Sequence, residues 1–202
     1  MRQRGFTLVE LMVATFVLAI LAVYSVPAYR SITIKNKMTT MVNDFVADLH
    51  FAKTEAIKRS KNIVICAANE DFTDCSGSTN WRTGWIILDQ DETDFNAKII
   101  KVMELDAENY FLVGTGTTGA GSGGGSQGAI TFSRYGFAPN SAKSIALCGP
   151  DRLEHRVKGV VVQNSGRIRL AVDVDDDGRT EVEVSNGTIL EVTCGGPTGG
   201  SV

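Results

Sequence analysis

The chain has 202 residues, of which 43% are hydrophobic, and a formal net charge of −3. This size suits one ordinary domain with an additional apolar segment. The charge excludes the strongly basic balance of a dedicated nucleic-acid binder, so any nucleic-acid site would be a local patch. The sequence contains neither G-x-S-x-G nor H-E-x-x-H, and no cysteine has a plausible catalytic base beside it, so we expect no enzyme activity.

The first element is an apolar run preceded by two cations. Arg2 and Arg4 come before Gly5, and residues 6–29 contain no Lys, Arg or His. The run has the roughly 20 residues that a bilayer-spanning helix needs, and its basic front favours a cytoplasmic start. No small-residue cleavage site follows it, unlike in a secretory signal peptide. We therefore expect residues 6–29 to form a retained transmembrane helix, with the later residues outside the cytoplasm.

Glu10 is the only acidic residue in this run. An ionised carboxylate in apolar surroundings costs a few kcal/mol, so such a residue usually has a partner. Because the run itself supplies no cation, the partner would belong to another molecule. An acid tolerated at the membrane edge is the alternative.

The segment Gly5-Phe6-Thr7-Leu8-Val9-Glu10-Leu11 resembles the type III leader of type IV prepilins and type II secretion pseudopilins. The resemblance implies that residues 1–5 are a leader, which a prepilin peptidase removes between Gly5 and Phe6 before methylating the Phe6 amine. It also implies that Glu10 pairs with the Phe6 ammonium of a neighbouring subunit during assembly. Loss of Arg2 and Arg4 would change the net charge from −3 to −5.

Residues 30–61 are predicted to continue the helix as an amphipathic half. Apolar residues recur there at spacings of three and four, which is typical of one buried stripe. Lys58, Arg59 and Lys61 gather where cations favour a helix end. The stripe consists of Met38, Met41, Val42, Phe45, Val46, Leu49, Ala52 and Ala56.

Residues 62–202 are predicted to form a globular β domain, because short apolar runs alternate there with turn residues. Asn186-Gly187 between two such runs is a strong hairpin signal. The fold class is therefore α+β, with a long N-terminal helix packed on antiparallel sheet. The predicted strands are 63–66, 85–88, 98–103, 110–113, 130–135, 145–148, 156–163, 167–172, 181–184 and 189–193.

Residues 114–128 are a low-complexity loop rich in Gly and Ser. They contain a G-x-G-x-x-G match, but that dinucleotide fingerprint must open a helix, and here another strand-like run follows. We interpret the segment as a flexible loop.

The segment Trp81-Arg82-Thr83-Gly84-Trp85-Ile86-Ile87-Leu88-Asp89 resembles the tryptophan segment of FimT-type and FimU-type minor pilins and GspH-type pseudopilins. Phe132, Gly136, Leu147-Cys148 and the 166–169 segment follow in the same family order, so the resemblance covers nearly the whole mature chain. It implies a type IV pilin-like fold. We expect Trp81 and Trp85 to be core residues beside a tight glycine turn.

The four cysteines are expected to form disulfides, because their even number is typical of a protein outside the cytoplasm. They allow three connectivities, of which Cys66–Cys75 with Cys148–Cys194 is the simplest. A zinc site is disfavoured, because there is no C-x₂-C pair and neither histidine is suitably placed.

Asp173, Asp175, Asp177 and Gly178 reproduce the D-x-D-x-D-G opening of a calcium loop. The EF-hand register requires Glu at position 184, where Val184 stands. The segment is either a solvated acidic turn or an irregular calcium site, and no other cofactor is expected.

Gly166-Arg167-Ile168-Arg169 is predicted to place both arginines on one strand face, where their guanidinium groups suit phosphate contacts. In FimT-type minor pilins a G-R-x-R motif in this region is associated with DNA binding during natural transformation, and the resemblance implies that role for Arg167 and Arg169. Arg156 and Lys158, on the preceding strand, could add cations. The alternatives are pairing with nearby carboxylates or an ordinary solvated strand face.

The resulting functional hypothesis is a minor pilin that enters a type IV pilus with major and other minor pilins. Its helix would hold it in the inner membrane, with the domain in the periplasm, until assembly, and double-stranded DNA would bind through phosphates. A GspH-type pseudopilin of type II secretion, a minor pilin without DNA binding, and an anchored exported enzyme are the competing hypotheses.

Overall fold

The computed structural model describes residues 7–93, 98–105, 110–115, 128–139, 143–149, 157–171, 181–184 and 188–191; for residues 23–28, 115, 143–144, 181–184 and 188–191 it describes the backbone alone. The chain divides into two compact units, residues 1–37 and residues 38–202. The helix is α1 (Leu8–Arg59), and the strands are β1 (Ile63–Ala67), β2 (Gly84–Asp89), β3 (Ile99–Glu104), β4 (Phe111–Thr115), β5 (Ala129–Phe132), β6 (Lys143–Cys148), β7 (Lys158–Val162), β8 (Ile168–Leu170), β9 (Glu181–Val184) and β10 (Thr188–Glu191).

Helix α1 runs for 52 residues without interruption through Pro27. Its C-terminus is closed by Ser60, whose φ of 57° is left-handed. The Ser60 N–H donates to the Ile57 carbonyl at 3.3 Å, and the Lys61 N–H donates to the Ala56 carbonyl at 3.2 Å. This pair of bonds is the Schellman motif that commonly ends helices.

In the first unit, every described side chain of residues 8–22 is exposed, although most are apolar. Phe16 is 68% exposed and Leu18 is 64% exposed. Among the described residues, no helical stretch is sufficiently long and apolar to cross a membrane. The predicted span of residues 6–29 also includes Phe6 and the side chains of residues 23–28, which lie outside the described residues.

The second unit contains two four-stranded antiparallel sheets and a hairpin. The first sheet has the order β3-β2-β1-β5, and the second has the order β4-β6-β7-β8. Strands β9 and β10 pair with each other as the sequence predicts, and their turn at residues 185–187 lies outside the described residues. Residues 79–81 bond to β4, so the segment between β1 and β2 also reaches the second sheet.

The predicted stripe of α1 forms the centre of the core. Met38, Val42, Phe45, Leu49, Ala52 and Ala56 are all at most 3% exposed. Both tryptophans meet Phe45 edge to face, with centroid distances of 5.5 Å for Trp81 and 5.1 Å for Trp85. The interpretation of both tryptophans as core residues is therefore confirmed.

The tryptophan segment also contains a position that requires glycine and a side chain that binds a buried carboxylate. A Cβ on Gly84, whose φ is 132°, would lie 2.1 Å from the Met103 carbonyl oxygen, so this position requires glycine. The Trp85 Nε1–H donates to Asp48 on α1 at 2.9 Å, and Lys101 pairs with the same buried carboxylate. Asp48 is thereby neutralised by partners from two strands, as a buried charge requires.

The prediction for β5 was wrong at its end. The strand stops at Phe132, and residues 133–136 form a turn in which the Gly136 N–H donates to the Ser133 carbonyl at 2.8 Å. Gly136 has a φ of 79°, a conformation that glycine adopts readily. Tyr135 consequently lies on a turn and not on a strand.

Candidate functional site

The G-R-x-R segment begins at the tip of the β7–β8 hairpin. The Gly166 N–H donates to the Gln163 carbonyl, and the Gln163 N–H donates to the Arg167 carbonyl. With the positive φ of Gly166, these bonds form a three-residue hairpin loop with a bulge. A Cβ on Gly166 would lie 1.9 Å from the Gly136 carbonyl oxygen. The glycine of the motif therefore has a structural role.

Two other elements hold this tip in place. The Lys53 ammonium on α1 donates to the Gly166 carbonyl at 2.9 Å. The Ala138 N–H donates to the Asn164 carbonyl at 3.0 Å, which joins the tip to the turn after β5. The start of β8 is thus fixed against rigid elements, which favours precise presentation of the following side chains.

Arg167 and Arg169 are exposed, and Ile168 between them is half-buried, as the predicted alternation requires. Arg169 pairs with Val161 of β7, so the two side chains lie on the same sheet face. That face carries a buried apolar cluster, which consists of Phe111, Val113, Ala146, Cys148, Val157 and Val161. Among the described residues no carboxylate pairs with either arginine, and the acidic turn at 173–177 lies outside them.

Lys158 does not join the two arginines. Lys158 and Val160 are two residues apart on β7 and therefore lie on the same face of the sheet. Val160 pairs with Leu170, whereas the neighbouring Val161 pairs with Arg169. Since neighbouring residues of a strand point to opposite faces, Lys158 lies on the other face of the sheet from Arg169. The predicted proximity of Lys158 to the arginines is therefore not observed, and Arg156 lies outside the described residues.

An exposed aromatic pair lies directly beside the hairpin tip. Tyr135 is 72% exposed and Phe137 is 54% exposed, on either side of the buried Gly136. Phe137 is close enough for its Cα to lie 3.4 Å from a Cβ built on Gly166. The pair was not predicted, because Tyr135 was assigned to a strand. Gly136 was the available signal, because an isolated glycine in a strand-like run indicates a bulge or a close backbone approach.

At the front of α1, Glu10 occupies the first turn and is exposed. The Thr7 hydroxyl accepts a hydrogen bond from the Glu10 N–H at 3.3 Å, so Thr7 acts as the N-cap and Glu10 as the acid three residues later. Gly5 and Phe6, the predicted processing site, lie outside the described residues.

The Cys66–Cys75 disulfide is present, with a Cα–Cα distance of 5.6 Å. It closes the loop that brings Phe72 onto a second apolar cluster, formed by Val64, Cys66, Ala68, Ile86 and Leu88. Cys148 is also in a disulfide, and its predicted partner Cys194 lies outside the described residues.

The predicted calcium ligands Asp173, Asp175 and Asp177 lie outside the described residues. Within the part of the chain that the structure describes, no group of three or more His, Cys, Asp or Glu side chains could hold a metal ion. The calcium interpretation stays a prediction.

Two family models match the sequence. The model described as "Type II transport protein GspH" matches residues 41–166, and the model described as "Prokaryotic N-terminal methylation motif" matches residues 1–25. The first contains the tryptophan segment and Gly166. The second contains the predicted processing site and Glu10.

Curated relatives match mainly over short segments. A "Fimbrial protein" of Pseudomonas aeruginosa is 38% identical over 69 residues, which are 34% of this chain and 44% of the relative. "Prepilin peptidase-dependent protein D" of Escherichia coli K12 is 47% identical over 45 residues, which are 22% of this chain and 31% of the relative. The match thus spans less than half the length of each relative.

The crystal structure of the type IV minor pilin FimU of Pseudomonas aeruginosa is similar to this chain, with a TM-score of 0.50. The match covers 67% of this chain and 88% of that chain, at 18% sequence identity. At this identity the likeness shows the fold alone. It confirms the predicted α+β fold, a long N-terminal helix with antiparallel sheet.

Proposed function

The chain belongs to the GspH family of pilin-like proteins, and we propose that it is a minor pilin of a type IV pilus whose domain also binds DNA. The observation that carries the pilin role is the front half of α1, where apolar side chains are exposed on all sides behind an N-terminal methylation motif. Such a surface requires an apolar cover, which a membrane and then the helices of neighbouring subunits would supply.

In this proposal, prepilin peptidase cleaves after Gly5 and methylates Phe6. Glu10 pairs with the Phe6 ammonium of the next subunit. The exposed position of the Glu10 side chain in the isolated chain is consistent with a partner from another molecule. The protein stays in the inner membrane, with its domain in the periplasm, until it enters the filament.

Mass spectrometry of the native protein tests the processing step, and we expect an N-methylated Phe6 at the N-terminus. Glu10→Val should still insert into the membrane, because losing a carboxylate makes insertion easier. It should enter filaments poorly, because the intersubunit partner is gone. Filaments that contain the uncleaved leader, or normal incorporation of the variant, would contradict the proposal.

The DNA-binding part rests on Arg167 and Arg169. Both are exposed: Arg169 lies on β8, which among the described residues is at the edge of its sheet, and Arg167 directly precedes that strand at a fixed hairpin tip. Two guanidinium groups can contact phosphates without reading sequence, so binding should weaken steeply with salt. With few cations, one domain should bind in the nonspecific range of about 10⁻⁴–10⁻⁶ M, and several copies in a filament would raise the effective affinity.

A gel shift at low salt compares the mature chain in detergent with the Arg167→Gln/Arg169→Gln double variant. We expect the double variant to lose DNA retardation while keeping its circular dichroism spectrum, because both side chains are exposed. If a folded double variant retards DNA as well as the unaltered chain, the arginines are not the site. If neither retards DNA, the protein is a minor pilin without this activity.

A pseudopilin of type II secretion is the second candidate, favoured by the description of the matching family model, "Type II transport protein GspH". The two candidates share the fold, the processing and the assembly chemistry. Deleting the gene separates them: loss of pili with normal secretion supports the pilus, and the reverse supports the secretion machine.

A further inference from the structure

The aromatic turn, by which we mean Tyr135, Gly136 and Phe137, lies at the start of the arginine-bearing strand and has no role in the core. Tyr135 is 72% exposed and Phe137 is 54% exposed, whereas the turn's own glycine is buried. The turn is fixed, since Gly136 contacts both Ile57 of α1 and the backbone of Gly166. Two rings are therefore held out to solvent by a rigid backbone.

Cations lie close to these rings. The guanidinium carbon of Arg134 lies 5.5 Å from the centroid of the Tyr135 ring. Arg167 directly follows Gly166, whose backbone touches the turn, and Arg169 lies about 10 Å along the strand from Gly166 at about 3.3 Å per residue. The aromatic turn thus carries one cation of its own and adjoins the backbone from which the arginine-bearing strand starts.

From this juxtaposition we propose that the aromatic turn stacks against the bases of single-stranded DNA while Arg167 and Arg169 contact its phosphates. Aromatic rings beside a cationic track are the usual means of binding single strands, because every base has a face on which a ring can stack. A duplex hides those faces within its own stack. The inference rests on the proposed DNA binding and adds a preference for unpaired bases.

A docking site for another protein fits these observations less well. Two rings separated by a buried glycine offer far less area than the roughly 800 Å² per partner of a standard protein interface. Exposed arginines at one edge also suit phosphates better than an apolar partner. Exposed rings on a turn that adjoins the arginine-bearing strand suit a ligand that carries both bases and phosphates.

The test measures binding of labelled oligonucleotides to the mature chain in detergent by fluorescence anisotropy. The probes are an oligothymidylate, an abasic oligonucleotide of the same length, and a duplex. Because the abasic probe keeps the phosphates and lacks the bases, the comparison isolates stacking without any substitution. We expect the oligothymidylate to bind about tenfold more tightly than the abasic probe, as stacking of about one base would produce.

Three variants refine the comparison. Tyr135→Leu/Phe137→Leu keeps apolar surface but removes the rings, so oligothymidylate binding should fall to the abasic level while abasic binding stays unchanged. Tyr135→Phe/Phe137→Tyr keeps both rings and should bind like the unaltered chain. Val102→Ala is the control, since Val102 is a 42% exposed apolar residue on β3 of the other sheet and is not aromatic.

The outcomes separate this inference from the proposed function. If Arg167→Gln/Arg169→Gln weakens all probes but the unaltered chain binds the oligothymidylate and abasic probes equally, DNA binding stands and stacking is overturned. If Val102→Ala weakens oligothymidylate binding as much as the leucine pair, the loss is not specific to the rings and the inference also falls. If the unaltered chain binds no probe, both proposals fail.

Discussion

The front and rear halves of α1 belong to one continuous helix but are used in opposite ways. In the front half, at residues 8–22, every described side chain is exposed. In the rear half, six of the eight residues of the predicted stripe are at most 3% exposed, and Met41 and Val46 are half-buried. A helix that is apolar all round needs cover from outside the chain, whereas a one-sided stripe is covered by the chain's own sheets. The comparison indicates that the rear half contributes to folding, whereas the front half is exposed to cover from outside the chain, as the proposed assembly requires.

The largest expected effect comes from a matched pair of phenylalanines. Phe45 is 0% exposed and Phe16 is 68% exposed. Phe45→Ala should lower the free energy of unfolding by about 3–5 kcal/mol, because it leaves a cavity between two tryptophans. Phe16→Ala should leave it almost unchanged. Urea denaturation of the detergent-solubilised chain, followed by tryptophan fluorescence, measures both, and equal effects would refute the division of roles.

The next largest effect on stability is expected from the Cys66–Cys75 disulfide, whose loop packs on the first sheet. Replacing Cys66 and Cys75 together by Ala should lower the free energy of unfolding by about 2–3 kcal/mol, given their sequence separation of 9 residues. The loop should also release Phe72 from its apolar cluster. The same urea titration measures the loss, and a larger loss than for Phe45→Ala would show that this loop, and not the rear half of α1, dominates stability.

The contact between the rear half and the arginine hairpin can be tested at Gly166. Gly166→Ala should lower the free energy of unfolding by about 1–3 kcal/mol, because it places a Cβ against the Gly136 carbonyl at a positive φ. It should also reduce DNA binding, since it moves the start of β8. Arg167→Gln is the neighbouring control, for which unchanged stability is expected; a stability loss there would contradict the free exposure of this side chain.

The smallest expected effect is on the pH dependence of stability, and it comes from Glu55, a buried acid in the rear half of α1. The hydrogen bond from Arg59 lowers the pKa of the buried Glu55, with a further contribution from Lys58 and an opposing one from burial. A lowered pKa means that the stabilisation is present above the ordinary value of 4.5 and is lost as pH falls through the lowered folded value.

Glu55→Gln should therefore flatten the decline of stability as pH falls below about 4.5. Urea midpoints measured between neutral and acidic pH test this expectation. An unchanged decline in the variant would mean that the contact of Glu55 with Arg59 does not contribute to folding.

Local patterns in the sequence were sufficient for the elements themselves. The stripe of α1 follows from helical periodicity, and the described strands follow from short apolar runs between turn residues, as in β1 and β2, which are buried along their whole length. The Cys66–Cys75 disulfide was also predicted correctly from spacing and compartment. The predicted end of β5 was wrong, because the strand stops at Phe132 and the chain turns at Gly136.

For the candidate site, the sequence by itself determined that Arg167 and Arg169 share one face, since alternation is a property of any strand. Only the tertiary structure decided that Lys158 lies on the opposite face, because register depends on which residues pair across strands. Only the tertiary structure also brought the turn at 135–137 against Gly166, about 30 residues away along the chain. Such contacts arise from packing between distant segments, and no local pattern contains them.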